Sequence, residues 1–113
     1  MSELIKKGKN AKEAAYILAN ITTTDKDRAL EFMAKKLLEN ADKIIEENKK
    51  DLKKAVENGT SKGMLDRLSL DKSRIDSMAD GLMQIINLQD PVGEVIGMWN
   101  RPNGLQIGQK RVP

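Results

Sequence analysis

Residues 94–112 read EVIGMWNRPNGLQIGQKRV, and this stretch decides the architecture expected at the end of the chain. Its middle, Pro102-Asn103-Gly104, is a strong turn signal, because Asn and Gly tolerate the positive φ angles that tight turns require. The run after the turn begins with apolar and polar residues in alternation, as a strand with one covered face does. The sequence therefore predicts a β-hairpin with strands over residues 94–101 and 105–112.

The sequence before this hairpin has helical character. Residues 2–20 carry apolar or small side chains at spacings of three and four, which share one helix face, namely Leu4, Gly8, Ala11, Ala15 and Leu18. Because these side chains are mostly small, we expect another element to approach this face closely. Asp90-Pro91 ends the helical part, since proline disfavours the helical conformation in the residue before it.

Polar side chains mark the expected helix ends between residues 22 and 87. An apolar stripe runs from Leu30 to Ala55, with Asn48 in one of its positions, and we expect Asn40 to divide it by ending one helix and capping the next. Gly59 is expected at positive φ, where it ends the second helix. The other expected N-caps are Thr24, Thr60 or Ser61, and Asp71.

The fold class predicted from these patterns is mainly α with a C-terminal β-hairpin. Residues 1–89 form the expected helical segment, and residues 90–113 form the hairpin. A two-stranded hairpin is marginally stable in water, and this one has open edges. We therefore expect either that another copy of the chain completes the sheet or that the chain is part of something longer. The candidate residues for such an oligomer interface are Trp99, Leu105 and Ile107.

The composition excludes several kinds of site. The 113 residues include no Cys and no His, which rules out a zinc finger or zinc ribbon, a disulfide scaffold, a thiol nucleophile and a Ser-His-Asp triad. The sequence contains no phosphate-binding Gly-Lys-Ser/Thr loop, and residues 104–108 do not match the dinucleotide fingerprint. Any catalysis by this chain alone would have to use carboxylates, Lys, Tyr or backbone groups, and we assign no catalytic, cofactor-binding or metal-binding residue in it.

The net charge is +3, and the placement of the charges and of the apolar residues argues against nucleic acid and membranes as partners. Arg101, Lys110 and Arg111 account for the whole excess, and three cations without interleaved aromatic residues make a poor nucleic-acid surface. No apolar run approaches the roughly 20 residues that span a bilayer, and no signal-peptide pattern follows the N-terminus. We expect a cytoplasmic protein that binds neither nucleic acid nor a membrane.

The sequence closely resembles the gamma-glutamyl phosphate reductase family, which belongs to the aldehyde dehydrogenase superfamily. The likeness is in order along the whole chain, and the Trp-x-Arg-Pro-Asn-Gly-Leu-x-Ile-Gly string is its most specific part. The matching strings are Lys7-Gly8-Lys9-Asn10-Ala11-Lys12-Glu13-Ala14, Asp66-Arg67-Leu68-Ser69-Leu70, Asp90-Pro91-Val92-Gly93-Glu94-Val95, Trp99-Asn100-Arg101-Pro102-Asn103-Gly104-Leu105-Gln106-Ile107-Gly108 and Arg111-Val112-Pro113.

The resemblance implies that this chain is the N-terminal portion of an α/β enzyme of the aldehyde dehydrogenase type. Such an enzyme reduces gamma-glutamyl phosphate with NADPH to glutamate semialdehyde and phosphate in proline biosynthesis. The family nucleophile is a cysteine in a later domain, and the cofactor is held by strands beyond this chain, so the segment alone is expected to be inactive. The helices are expected to flank the cofactor domain, and the hairpin to belong to an oligomerisation arm.

A second hypothesis stays open at this point. The chain could be a free-standing helical interaction module that dimerises through its hairpin. The two hypotheses share the hairpin as an interface, and they differ in whether the remainder of a reductase chain is a partner.

Overall fold

The computed structural model describes residues 2–113 and confirms the mainly α fold with a C-terminal hairpin. In this part of the chain, five helices precede two antiparallel strands. Their bounds are α1 Glu3–Leu18, α2 Thr23–Glu39, α3 Ala41–Glu57, α4 Lys62–Leu68, α5 Lys72–Ile86, β1 Val95–Asn100 and β2 Gln106–Lys110.

Most of the expected helix caps are confirmed. Ser61 and Asp71 accept hydrogen bonds from the backbone N–H groups of Met64 and Arg74, at 3.4 and 2.8 Å, and so cap α4 and α5. Gly59 follows α3 with a φ of 76°, a left-handed conformation that side chains with a Cβ rarely adopt. These helix boundaries depend on local hydrogen bonds, which is why the sequence predicts them.

Two predicted caps are wrong in detail. Helix α2 begins at Thr23, and Thr22, not Thr24, accepts a hydrogen bond from the Asp25 N–H at 3.2 Å. Asn40 does separate α2 from α3, but its side chain donates back to the Lys36 carbonyl at 2.9 Å and does not cap α3. In a run of three threonines each hydroxyl can serve as a cap, so the sequence alone could not select one.

The contacts divide the chain into two compact units. The central unit comprises Asp27–Leu88, and the terminal unit comprises residues 2–26 together with Gln89–Pro113. In the central unit α3 packs against α4 and α5. Its buried apolar side chains are few and mostly small: Ala34, Ala41, Ala79 and the fully buried Ile75.

Asn48 provides the central unit with a buried polar contact. Its side-chain amide donates to the Leu68 carbonyl at 2.9 Å, and its Oδ1 accepts from the Leu70 N–H at 2.8 Å. Asn48 is 6% exposed, so both backbone groups would lose their partners in a poorly hydrated site if this side chain were removed. The amide therefore fixes the connection between α4 and α5.

Arg74 holds the same connection from its other side. Its guanidinium donates to the carbonyl oxygens of Asp66 and Ser69 and pairs with the Asp66 carboxylate at 3.1 Å. The carbonyl groups at the end of α4, which have no intrahelical donor, thus gain partners from α5. The orientation of α5, which carries Ile75, is set by these polar contacts.

In the terminal unit the hairpin has the predicted turn. Gly104 has a φ of 88°, and the Arg101 N–H donates to the Leu105 carbonyl at 2.7 Å. Trp99 lies opposite Ile107, and a register shift between Val95 and Gly97 interrupts the pairing. The strands are shorter than expected, although backbone hydrogen bonds of Gly93 and Glu94 with Arg111 continue the pairing beyond their ends.

Replacing Asn48 by Ala should destabilise the central unit by about 2–3 kcal/mol, because two buried backbone groups lose their hydrogen bonds. Urea unfolding followed by circular dichroism at 222 nm measures this change in the free energy of unfolding. Asn40→Ala is the matched control, since Asn40 is exposed and makes one side-chain hydrogen bond. Equal losses in the two variants would contradict the role given to Asn48.

Candidate interaction surfaces

The hairpin presents a largely exposed apolar surface. Trp99 and Ile107 form a cross-strand pair, so two of the three candidate interface residues share a face of the sheet. Trp99 is 44% exposed, and Leu105, which lies just before β2, is 58% exposed. Side chains of this size at such exposure are typical of a surface that a partner covers. Their assignment to an oligomer interface remains a prediction.

Three further apolar residues of β1 are exposed and are not among the candidates named from the sequence. They are Val95, Ile96 and Met98. The Met98 side chain lies over Gly108, where an added Cβ would be 3.2 Å from the Met98 Cγ. The consecutive apolar residues 95 and 96 were the available signal, because strict alternation would leave only one of them on a covered face.

A carboxylate at the base of the hairpin joins it to the start of α2. Asp90 accepts from the Thr23 hydroxyl at 2.8 Å, from the Lys26 ammonium at 3.0 Å and from the Val92 N–H at 3.0 Å. We call these four residues the Asp90 cluster. The side chains of Asp90 and Lys26 are 15% and 25% exposed, so this ion pair is the most shielded one recorded in residues 2–113.

The Lys26 ammonium lowers the pKa of Asp90 below its ordinary value, and the Thr23 hydroxyl and the Val92 N–H act in the same direction. Each donor stabilises the ionised carboxylate more than the neutral acid. The Lys36 ammonium similarly lowers the pKa of Glu39 at the end of α2, but 44% of the Glu39 side chain is exposed, so solvent screens that pair more strongly. The Lys26–Asp90 ion pair, which is less exposed, is therefore expected to stabilise the fold more than the Lys36–Glu39 pair.

The central unit has an open apolar cavity of about 780 Å³, which we call the central groove. Residues from α2, α3 and α5 line it, with Lys36 and Asn40 as the polar members. The other lining residues are Met33, Leu37, Ile44, Met78, Gly81, Leu82 and Ile85. Ile85 and Met33 are about half exposed, so the chain itself leaves this groove incompletely filled.

Helix α1 has no buried residue, and its apolar side chains are exposed, with Leu4 at 81% and Ile17 at 66%. The close approach of another element to its small-residue face, which the sequence predicts, is not seen within residues 2–113.

Among the three cations that give the net charge, Arg111 pairs with Glu94 at 3.4 Å across the hairpin.

The glycine pair at residues 104 and 108 does not have the geometry of a dinucleotide-binding turn. Gly104 and Gly108 lie in an antiparallel hairpin, whereas a phosphate-binding turn of the dinucleotide type joins a strand to a helix. Within residues 2–113, no group of three carboxylate, thiol or imidazole side chains comes close enough to hold a metal ion. None of the helices in this part of the chain has the length and apolar character needed to cross a membrane.

Comparison with known proteins gives strong matches over the whole chain. It is 65% identical over all 113 residues to a gamma-glutamyl phosphate reductase of Clostridium botulinum (strain Alaska E43 / Type E3) and 62% identical to that of Clostridium beijerinckii. In each case the match covers 27% of the relative, so the chain spans about a quarter of the length of these proteins. No protein-family model matches the chain.

A solved structure agrees with these matches. The crystal structure of gamma-glutamyl phosphate reductase from Thermotoga maritima superposes on 99% of this chain with a TM-score of 0.93 and 44% sequence identity, and the match covers 27% of that protein. The resemblance predicted from the sequence is therefore confirmed, and the chain corresponds to an N-terminal segment of these reductases.

Asp90→Asn should remove a stabilising contribution that depends on pH. Because the folded-state pKa of Asp90 lies below its ordinary value of 3.8, the ionised carboxylate stabilises the fold above that pH. This stabilisation is lost as the pH falls through the depressed pKa. The difference in melting temperature between the unaltered chain and the variant should be constant from pH 7 to about 5 and should shrink below pH 4.

The control for this titration is Asp76→Asn, since Asp76 is exposed and makes no side-chain hydrogen bond recorded in residues 2–113. That variant should lower the melting temperature little at either end of the pH range. A difference for Asp90→Asn that grows as the pH falls would contradict the assignment.

Proposed function

We propose that this chain, which is similar over its whole length to the N-terminal segment of gamma-glutamyl phosphate reductases, works as part of such an enzyme. The reaction would reduce gamma-glutamyl phosphate to glutamate semialdehyde, with release of phosphate, in proline biosynthesis. The observation that carries the proposal is the 65% identity over all 113 residues, and the TM-score of 0.93 to the Thermotoga maritima structure supports it.

The proposal assigns the chemistry to parts of the enzyme outside these 113 residues. A reductase of the aldehyde dehydrogenase type needs a cysteine nucleophile, and this chain has no cysteine. NADPH would supply the hydride, and the glycine pair at residues 104 and 108 does not fit a dinucleotide-binding turn, because it lies in an antiparallel hairpin. We therefore propose that the segment is inactive alone and that residues elsewhere in the enzyme bind NADP.

The central groove would receive the remainder of the reductase polypeptide. The relatives are nearly four times as long as this chain, so most of the enzyme lies outside it. An apolar groove of about 780 Å³ is larger than the voids found within packed cores, and filling it would bury the exposed faces of Met33 and Ile85. This docking would hold the helices against the rest of the enzyme.

The hairpin would contact another subunit. Its strands pair only with each other in the described part of the chain, so both edges keep unpaired backbone groups. Trp99 and Leu105 are exposed, and Ile107, which lies opposite Trp99, is partly exposed. We propose that a second copy of the enzyme covers this surface, as an oligomerisation arm would require.

A different class of function is supported by the same exposed surfaces. A free-standing helical module could bind partners through the hairpin and the central groove without any reductase. The chain would then fold cooperatively and dimerise alone, and it would not restore a reductase. The length and identity of the relatives favour the enzyme segment over this alternative.

A chimeric enzyme distinguishes the enzyme-segment hypothesis from the free-standing module. We expect a chimera, in which this chain replaces the matching segment of the Clostridium botulinum reductase, to reduce gamma-glutamyl phosphate at a rate within about tenfold of the parent enzyme. The reason is that a segment 65% identical to the one it replaces should preserve the packing against the remaining three quarters. The measurement is NADPH oxidation at 340 nm in a coupled assay that generates the acyl phosphate.

Two controls accompany this assay. The 113-residue chain alone should give no turnover, and the host enzyme without its matching segment should be inactive. Turnover by the isolated chain would refute its inertness. A folded chimera without activity would refute its role as this segment of the enzyme.

The docking role of the central groove is tested by Ile85→Glu in the chimera. If the remainder of the enzyme covers this half-exposed side chain, the new charge is buried at an interface, and we expect a loss of about 2 kcal/mol or more in stability. In the isolated chain the same variant should lose less than about 0.5 kcal/mol, since the site stays open to water. Denaturant unfolding of both proteins gives the two numbers.

Gln84→Glu on the same helix is the matched control, because Gln84 is exposed and does not line the groove. It should affect neither protein by more than about 0.5 kcal/mol. Equal effects of Ile85→Glu in the chimera and in the isolated chain would show that nothing docks there.

A further inference from the structure

We propose that Asp90 is a positioning residue that sets the direction in which the hairpin projects from the start of α2, and so presents Trp99 and Ile107 to the partner subunit. This inference rests on the proposed function, in which the hairpin contacts another subunit. It adds the residue that would control the contact without touching the partner.

The hairpin has little else to hold it in place. In the described part of the terminal unit, β1 and β2 pack on each other and on no helix. A hairpin that is joined to the helices through the backbone alone can pivot about the residues that precede it. Thr23 and Lys26 at the start of α2 both donate side-chain hydrogen bonds to Asp90, in the segment that leads into the hairpin.

The connection from Asp90 to the paired strands is short and internally fixed. The Asp90 carboxylate accepts from the Val92 N–H, the Glu94 N–H donates to the Pro91 carbonyl at 3.3 Å, and the Gly93 N–H donates to the Arg111 carbonyl at 3.0 Å. Only two residues therefore separate Asp90 from the first cross-strand hydrogen bond. A fixed Asp90 side chain fixes the base of the hairpin.

The chemistry of the cluster suits this task better than an apolar contact would. A carboxylate that accepts one hydroxyl, one ammonium and one backbone N–H restricts orientation, because charge-assisted hydrogen bonds are both short and directional. With 15% of the Asp90 side chain and 25% of the Lys26 side chain exposed, water competes only partly for these bonds. The hairpin is thus held in one direction before any partner arrives.

The consequence for assembly follows from the fraction of time that the hairpin spends in the binding direction. The apparent dissociation constant of a surface equals its intrinsic value divided by the fraction that is competent to bind. If loss of Asp90 leaves the correct direction populated about one tenth of the time, the dissociation constant rises about tenfold. No contact at the interface need change.

The first experiment measures the direction itself in the full 113-residue chain. The chain has no native cysteine, so Thr24→Cys and Gln106→Cys, both at exposed positions of the terminal unit, accept two spin labels without background. The distance distribution between the labels should be narrow in this otherwise unaltered chain and broad after Asp90→Ala. Lys26→Met and Thr23→Val should each broaden it less, because each removes one donor.

Glu94→Gln is the matched control, since Glu94 pairs with Arg111 inside the hairpin and does not reach α2. It should leave the distribution narrow. A distribution that stays narrow in Asp90→Ala, or that is already as broad without this substitution, would overturn the proposal.

The second experiment measures assembly in the chimera by sedimentation, at a temperature where circular dichroism shows every variant fully folded. Ile107→Ala should weaken association because it removes interface area, and Asp90→Ala should weaken it about tenfold although Asp90 lies outside that area. A purely stabilising role would lower the melting temperature of Asp90→Ala and leave the dissociation constant of the folded protein unchanged.

Comparing Ile107→Ala with Asp90→Ala distinguishes a failure of the proposed subunit contact from a failure of the role given to Asp90. If Ile107→Ala leaves association unchanged, the hairpin is not the subunit contact and that part of the proposed function fails. If Ile107→Ala weakens association and Asp90→Ala does not, the hairpin is the contact but Asp90 does not position it, and the inference made here fails.

Discussion

Burial of apolar side chains is the constraint on which the rest of this structure depends. Ile75 is the one large apolar side chain among the described residues that is fully buried, and the other buried apolar residues are alanines. Burying a large apolar side chain contributes about 1.5–3 kcal/mol to stability. Most large apolar side chains of this chain are at least partly exposed, so they contribute less than this. The hairpin, α1 and the central groove keep exposed apolar surfaces, which agrees with the proposal that other parts of an enzyme cover them.

In each unit, directional polar contacts fix the connections between elements that the small apolar core does not hold. In the central unit Asn48 and Arg74 satisfy backbone groups around the connection between α4 and α5, and in the terminal unit Asp90 joins the start of α2 to the hairpin. Hydrogen bonds of this kind are worth little each in net free energy, but they are directional. They define the geometry of surfaces whose burial would be completed by contacts outside the chain.

The sequence predicts those features of the fold that depend on neighbours in the chain. Ser61, Asp71 and Gly59 mark helix ends through hydrogen bonds or backbone angles within a few residues, and the turn at Gly104 brings Trp99 opposite Ile107. Asn48 was placed correctly on its stripe, but its partners lie 20 and 22 residues further along the chain. The same distance problem conceals Asp90, because the hydroxyl that it engages is 67 residues away and no local pattern indicates that contact.

The division into units also has a consequence for the order of events during synthesis on the ribosome. The central unit is continuous in sequence, so Asp27–Leu88 can fold as soon as it has emerged, from contacts between near neighbours. The terminal unit is made from both sides of that stretch, so the contacts of residues 2–26 with the segment at Asp90 can form only after that segment has been translated. The closing loop then consists of an already folded body and not of a random chain, which lowers the entropy lost when Thr23 and Asp90 meet.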